Sequence, residues 1–482
     1  MARISGALQL TNLNDFITPS QECIKPIIIE KSCTKTGSKI SIQEDGTYYQ
    51  VEDLTIPQKL QKVEIALSDC LACSGCITSA ESVLVDQQNQ EELSKVFREK
   101  KILQKEGRVS ETRFIIVSLS VQPVLSLAVK YNLEPNDCAA RLAGYFKHLG
   151  ADMVVDMTIA EDLALLESQK EFVERYSSAE ISGSKNLLPM LSSSCPGWVC
   201  YAEKTHGSFI LPYLSSTKSP QQIMGSIIKR FVQKLVSLPI YHVTLMPCYD
   251  KKLEAVREDF INKENKIKDV DCVITAIELE QMFLDGNISL NEVPPSTFNQ
   301  PWNSENQEIT PCLKRQMGSG SGGFAHNIFK FAAEVLFQVE NPLIEFKCLR
   351  NPDFKELTLL DKNDKVALKF AIVNGFTNIQ NLVRKLKRGK SDYHYVEVMA
   401  CPSGCLNGGA MVHPQNRTVK DLTTVLEDLY TNLPIQNQNE SKTVKSLYQQ
   451  WFKGEEGDIT KNILHTGYHE IEKVNVSLNI KW

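Results

Sequence analysis

The stretch YVEVMACPSGCLNGGAM, Tyr395 to Met411, runs a short apolar segment straight into two cysteines four residues apart, bedded in glycine. Neither a disulfide nor a lone nucleophile accounts well for that spacing. A metal cluster does, provided further cysteines reach the same place from elsewhere in the chain. The run YVEVMA has the length and residue types of a buried strand, so the two thiols stand where a strand ends. In an open parallel sheet, strand carboxyl ends are where ligands gather.

From Arg113 onward the chain repeats this texture. RFIIVSLS, DMVVDMTI, LPMLSSS, YHVTLMP, DCVITAI and LKFAIVN are short β-rich runs. CAARLAGYFKHLG, PQQIMGSIIKRFVQKLV, FAHNIFKFAAEVLFQ and IQNLVRKLKRG lie between them with helical character. Such alternation predicts an α/β fold with largely parallel sheets. FIIVSLSVQPVLSLAV, Phe114 to Val129, is interrupted by Ser, Gln and Pro and reads as strand and loop. It is too short and polar to cross a bilayer, so no membrane insertion is expected. Asn287 to Gly323, rich in Pro, Asn and Gly, reads as a long loop. EELSKVFREKKILQKEG is a charged helix closing at Gly107, and LPIQNQNESKTVK is a polar linker. The expected organisation is a cysteine-bearing N-terminal segment (1–107), an α/β domain (108–432) and a small C-terminal tail (433–482).

The 482 residues are 42% hydrophobic and 23% charged, an ordinary globular balance with room for two or three cores. A net charge of −5 gives no support to direct nucleic-acid binding, which usually shows a basic patch. The opening MARISGALQLTNLNDF has neither a basic n-region nor an apolar h-region, so no secretory leader is expected.

Fourteen cysteines without an export signal suggest metal or redox chemistry, because disulfides are rare in a reducing cytosol. Cys33, Cys138, Cys200, Cys272, Cys312 and Cys348 each stand alone and read as buried or incidental thiols, leaving eight. Cys70, Cys73 and Cys76 follow one another at two-residue gaps, a spacing that wraps one corner of an iron–sulfur cube. Zinc sites more often use two separated pairs. Cys23 is the candidate fourth ligand, with Cys33 as its competitor. The remaining four lie in SSSCPGWVCYAEKT (Cys195), LMPCYDKKLEA (Cys248) and EVMACPSGCLNGG (Cys401 and Cys405), each at the end of an expected strand. Four thiolates complete one cubane, and glycines let backbone amides approach its sulfides.

These three segments resemble the signatures TSCCPxW, MPCxxKxxE and MACxxGCxxGG of the iron-only hydrogenase family. LSSTKSPQQIMG, DMTIAEDLALLE and KNILHTGYHE resemble further segments of that family, and the likeness covers roughly residues 68–475. It implies a two-lobed iron-only-hydrogenase-like α/β domain with parallel sheets, plus an N-terminal iron–sulfur segment and a small C-terminal tail. It also implies a 4Fe–4S cluster on Cys195, Cys248, Cys401 and Cys405, the last matching the thiolate that bridges to the two-iron subcluster in hydrogenases.

The chain departs from hydrogenases in specific places. Ser194 stands where they carry a proton-relaying cysteine, and Glu167-Ser168 stands where they carry paired acids. A thiol titrates near pH 8.5, and a serine hydroxyl is a far poorer acid. Lys251 and Glu254 match the second signature and equally suit a buried ion pair.

This pattern is similar to the eukaryotic hydrogenase-like cytosolic iron–sulfur assembly factors, also described as prelamin-A-recognition-factor-like. One N-terminal cysteine, CxxCxxC, four deeper cysteines and a terminal aromatic, here Cys23, Cys70, Cys73, Cys76 and Trp482, fit it. The resemblance implies two 4Fe–4S clusters passed toward cytosolic and nuclear apoproteins, with no hydrogenase turnover. It further implies scaffold and targeting-complex partners, docked through Trp482, and a cytoplasmic and nuclear location. Lys481 departs from the acidic residue that related tails favour. The rival readings are a true hydrogenase and a structural or lamin-binding protein stabilised by its clusters. SGSGGFAHNIF (Ser319 to Phe329) lacks a Walker lysine and reads as a loop of close backbone approach over the second cluster, or as plain loop. His465 and His469 read as packing or surface histidines, with helical metal ligation as the alternative.

Overall fold

The structure, a computed structural model, describes residues 39–42, 48–51, 58–59 and 87–470, except 183–186, 263–264, 304–306, 350, 415–417, 437–440 and 453–457. The chain divides into two compact units after Val83. Of the smaller, the described residues are an antiparallel meander of β1 (Lys39–Ile42), β2 (Tyr48–Val51) and β3 (Gln58–Lys59).

The larger unit opens with α1 (Gln90–Lys105), capped by Asn89, whose side chain accepts from the Glu92 amide. Then β4 (Phe114–Leu119) leads into α2 (Val121–Tyr131) and α3 (Pro135–Leu149). Helix α2 replaces the loop expected from Val121 to Val129. Pro123 falls in its first turn, where no backbone N–H is needed, so the proline that argued against a helix is accommodated. β5 (Met153–Asp156) follows, and α4 (Thr158–Ser182) spans 25 residues.

β6 (Met190–Leu191), α5 (Pro196–Tyr201), α6 (Pro220–Arg230), β7 (Ile240–Met246), α7 (Asp250–Ala255), β8 (Cys272–Thr275) and α8 (Ala276–Asp285) come next. Ser219 caps α6, and Thr275 with Glu278 forms a capping box on α8. The long loop holds one small antiparallel pair, β9 (Phe298–Asn299) with β10 (Glu308–Ile309). The chain continues through α9 (Phe324–Phe337), β11 (Lys347–Cys348), β12 (Phe354–Leu360), β13 (Val366–Asn374), α10 (Phe376–Lys387) and β14 (Tyr395–Met399). It closes with α11 (Val419–Asn432), α12 (Lys442–Gln450) and α13 (Asp458–Leu464).

Two sheets organise the larger unit. The first, in order β5-β4-β7-β8, is parallel throughout. Its central strand is buried on both faces: Ile115, Val117 and Leu119 join one core while Ile116 joins the other. The second, β11-β12-β13-β14-β6, is parallel from β13 to β6 and antiparallel from β11 to β13. The two-lobed α/β architecture agrees with the sequence, and the antiparallel edge is an addition to it. The expected C-terminal tail packs inward, with Val444, Leu447, Tyr448, Phe452, Ile463 and Leu464 all in the second core.

Candidate metal centre

Three strand ends build the site. β6 ends at Leu191, and three serines later Cys195 caps α5. β7 ends at Met246 and delivers Cys248 through Pro247. β14 ends at Met399, followed by Cys401 and then Cys405 in a short 3-10 turn over Gly404–Asn407. β6 and β14 belong to one sheet and β7 to the other, so ligands meet between the two sheets.

The loops interlock through backbone. The Ala400 amide donates to Cys195 Sγ at 3.4 Å, and the Ala410 amide donates to the Pro247 carbonyl at 3.1 Å. A methyl on Gly408 would run into that same carbonyl, and one on Gly197 would lie 2.7 Å from Asp250 Oδ2. The structure thus brings Cys195, Cys248 and Cys405 within electrostatic reach of one another, and seats Cys401, 9% exposed, on the Cys405 loop.

Burial sets the thiol chemistry. Desolvation pushes Cys195 up to about 12, raises Cys248 well above an ordinary thiol, and raises Cys405 too. Left alone these groups hold their protons; bound metal is the counter-charge that would make them thiolates. Burial also lifts Asp250 to about 6, with Lys251 opposing. Lys251 Nζ donates to the Ser194 carbonyl and to Glu254, each at 3.1 Å, so the expected buried Lys–Glu pair is present. Ser219 Oγ and Gln221 Nε2 also donate to Glu254.

The chemistry of the surroundings fits a cluster. Ser194 Oγ, Trp198 Nε1 and Asn374 Oδ1 are buried without a hydrogen-bond partner, and two of these are donors one and three residues from Cys195. Cluster sulfides accept such hydrogen bonds. Among the described residues no three His, Cys, Asp or Glu side chains close on a single metal ion. A cubane asks for something else, one sulfur on each of four separate irons.

Some contributors were not legible in the sequence. The Ser321 hydroxyl accepts from the Cys405 amide at 2.9 Å, and Gln122 of α2 donates to the Gly320 carbonyl at 2.9 Å. The SGSGG loop therefore lies against the Cys405 loop, as its close-approach reading anticipated. Asp250 falls on an unspecified position of its signature and carried no signal of its own. His465 and His469 follow α13 and do not share a helix turn: His465 Nε2 meets Glu167 at 2.8 Å and His469 Nε2 meets Asp259 at 3.0 Å. Burial alone would raise the Glu167 carboxyl, yet hydrogen bonds from His465 and Tyr448 hold it below its ordinary value. Cys138, Cys200 and Cys272 are buried single thiols, while Cys312 and Cys348 are exposed. Cys23, Cys33, Cys70, Cys73, Cys76, Lys481 and Trp482 lie outside the described residues.

Residues 113–409 match the family described as iron only hydrogenase large subunit, C-terminal domain. The chain belongs to this family. Within it, the chain is 55% identical over its full length and theirs to proteins of Anopheles gambiae and Drosophila willistoni, each named "Probable cytosolic Fe-S cluster assembly factor". Among solved structures, an apo FeFe-hydrogenase from Chlamydomonas reinhardtii aligns with a TM-score of 0.65 and 24% identity, covering 74% of this chain and 94% of that one. An FeFe-hydrogenase solved in a study of oxygen inactivation gives 0.66 and 23%, over 77% and 98%. At that identity the family likeness to hydrogenases is one of fold. The relatives of matching full length are named as assembly factors.

Proposed function

We propose that this chain binds two 4Fe–4S clusters and acts as an assembly factor that passes 4Fe–4S clusters to cytosolic and nuclear apoproteins, without hydrogenase turnover. The observation that carries the reading is the buried convergence of Cys195, Cys248 and Cys405, with Cys401 on the same loop, in a chain matched end to end by named assembly factors. Cys195, Cys248, Cys401 and Cys405 hold the second cluster; Cys23, Cys70, Cys73 and Cys76 hold the first. When bound, a cubane supplies four thiolate-ligated irons to be retained or handed on. The chain's own residues orient the thiols through the Ala400 amide and the Ser321–Cys405 contact. They also place the buried, unpartnered Trp198 and Ser194 donors close in sequence to Cys195.

Ser194 and Ser168 support the absence of turnover, since each replaces a protonatable side chain of the hydrogenase pattern. The relatives' name supports a cytosolic location and contact with assembly machinery. In this reading Trp482 is the aromatic that docks a targeting partner. Among the described residues no helix is long and apolar enough to cross a membrane.

Anaerobic reconstitution tests the reading. We expect about eight irons per chain, as two cubanes require, and delivery of cluster to an apo-protein acceptor. Extra iron with infrared bands from CO or CN ligands, together with hydrogen evolution, would establish the hydrogenase instead. Eight retained irons with no delivery would establish a purely structural role.

A further inference from the structure

After α13 ends at Leu464, residues His465 to Glu470 cross the larger unit as a strap outside any helix or strand. The Lys218 amide donates to the Leu464 carbonyl at 2.8 Å, and the Thr466 amide to the Ser216 carbonyl at 2.7 Å. His465 bridges Ser216 Oγ at 2.9 Å and Glu167 at 2.8 Å. Tyr468 donates its hydroxyl to the Ser215 carbonyl at 2.8 Å. Tyr468 and Thr466 line a cavity together with Ser193, Pro196, Val199 and Cys200, the chain on either side of Cys195.

The strap's far end rests on an unusual element. Helix α5, which Cys195 caps, passes directly into a π-helical turn at Ala202–His206. Wide turns of this kind are rare and recur at functional sites. This one aims Glu203, 2% exposed, at two partners at once. Arg257 donates to it bidentately, both bonds at 2.7 Å, and the His469 amide donates to it at 3.1 Å. Asp259 accepts from Arg257 and meets His469 Nε2, each at 3.0 Å. Gly207 (φ +43°) ends the turn without a side chain where Glu470 packs. A continuous set of packed and hydrogen-bonded groups therefore runs from Cys195 along α5 and the π turn to the strap, beyond which the chain continues to Trp482.

We propose that His465–Glu470 is a latch on the Cys195 side of the centre, so that drawing the C-terminal segment off the body loosens α5 and opens the second cluster to release. This rests on the assembly-factor reading and adds to it a physical link between the chain end, where a partner docks, and one ligand of the cluster. Coupling of this kind is reciprocal: release of the strap weakens the hold on the cluster, and the bound cluster tightens the strap.

The test uses the full chain with Tyr468→Ala, which removes the ring and its bond to the Ser215 carbonyl, and Tyr468→Phe, which keeps the ring and loses only the hydroxyl. His469→Ala, at an exposed position, loosens the strap with little bearing on folding. Hydrogen exchange is measured on the cluster-free protein, and iron removal by a chelator on the loaded one. We expect exchange in residues 196–206 to rise about tenfold in Tyr468→Ala, the effect of losing one well-made contact, and by less in the other two. Slow-phase iron loss should accelerate in the same order. Unchanged exchange in 196–206, or a rise spread evenly over the chain, overturns the latch. Because exchange is read without iron, a chain that bound no second cluster would refute the assembly reading and leave this result standing.

Discussion

Gly404 stands at φ +78° immediately before Cys405, and a methyl there would run into Ser321 Oγ, which holds the Cys405 amide. Gly404→Ala therefore meets both backbone strain, about 1–2 kcal/mol for a left-handed residue, and a collision. Gly389 shares the positive φ, at +64°, but has open space around it. Both alanine variants should melt lower than wild type, and only Gly404→Ala should also lose second-cluster iron faster to a chelator. Equal iron retention in the two would remove Ser321 from the site. A second residue sets the acid limb of stability. His242 is fully buried between Ser118 Oγ and the Asp269 carbonyl, and desolvation lowers it to about 3. In the unfolded chain it titrates near 6.5, so below that pH only the unfolded state takes the proton. The contribution of this group should be level above about 6.5 and fall toward pH 3 by up to about 1.4 kcal/mol per pH unit. Burial lowers His326 to about 4 and adds to the same limb. Urea unfolding of the cluster-free protein at pH 7, 6 and 5 should show the slope reduced by about one proton in His242→Gln. An unaltered slope would refute the assignment.

At the scale of elements, a buried cation ties the start of α1 to the rest of the larger unit, beside the Lys100–Asp152 pair farther along the helix. Lys252, 1% exposed, donates to the Gln88 carbonyl and to Glu278, while Gln88 Nε2 returns a bond to the Lys252 carbonyl at 3.0 Å. Lys252→Met keeps the volume but strands the Glu278 carboxylate, a loss of about 3–5 kcal/mol for a broken buried pair. Urea unfolding should register that loss, and residues 90–105 should show the earliest rise in hydrogen exchange; a loss under about 1 kcal/mol would mean that water or Thr275 satisfies Glu278 unaided. The elements that carry cysteines were legible because each is a short apolar run broken by Pro or Gly. Others were not. β12 buries only Phe354 and Leu357 along FKELTLL, too sparse a pattern to announce a strand, and pairing with β13 supplies what local sequence lacks. Helices α12 and α13 looked like tail because their apolar residues, Val444 to Phe452 and Ile463 to Leu464, gain meaning only against a distant core.

Over the whole molecule, the two proposed clusters differ in how they are made. Cys70, Cys73 and Cys76 fall within seven consecutive positions of the sequence, whereas the other four ligands need both sheets assembled. Iron should therefore leave in two phases under chelator or oxygen. Cys73→Ala should delete one phase and spare the other. Cys405→Ala should delete the slow phase and lower the melting temperature as well, because metal binding at a site built by the fold is itself folding free energy. A single phase in wild type, or a Cys405→Ala chain that lacks the second cluster yet melts at the wild-type temperature, would contradict this division.

Local chemistry was enough to mark out the strands, the Cys-Pro and Cys-x-x-x-Cys loops and the eight candidate thiols, since strand propensity and ligand spacing are properties of neighbours in the chain, while the serines at 168 and 194 stood out only through the family resemblance. Tertiary structure alone decided the rest. Cys195, Cys248 and Cys405 lie up to 210 positions apart, from 195 to 405, and only the folding of two sheets about a shared core brings their ends together. Ser321 beneath Cys405, Lys252 between Gln88 and Glu278, and the strap on the π turn at Glu203 are likewise contacts between distant segments. Such contacts depend on how buried surfaces fit, and a pairing between segments far apart in the chain leaves no periodicity or spacing in either partner.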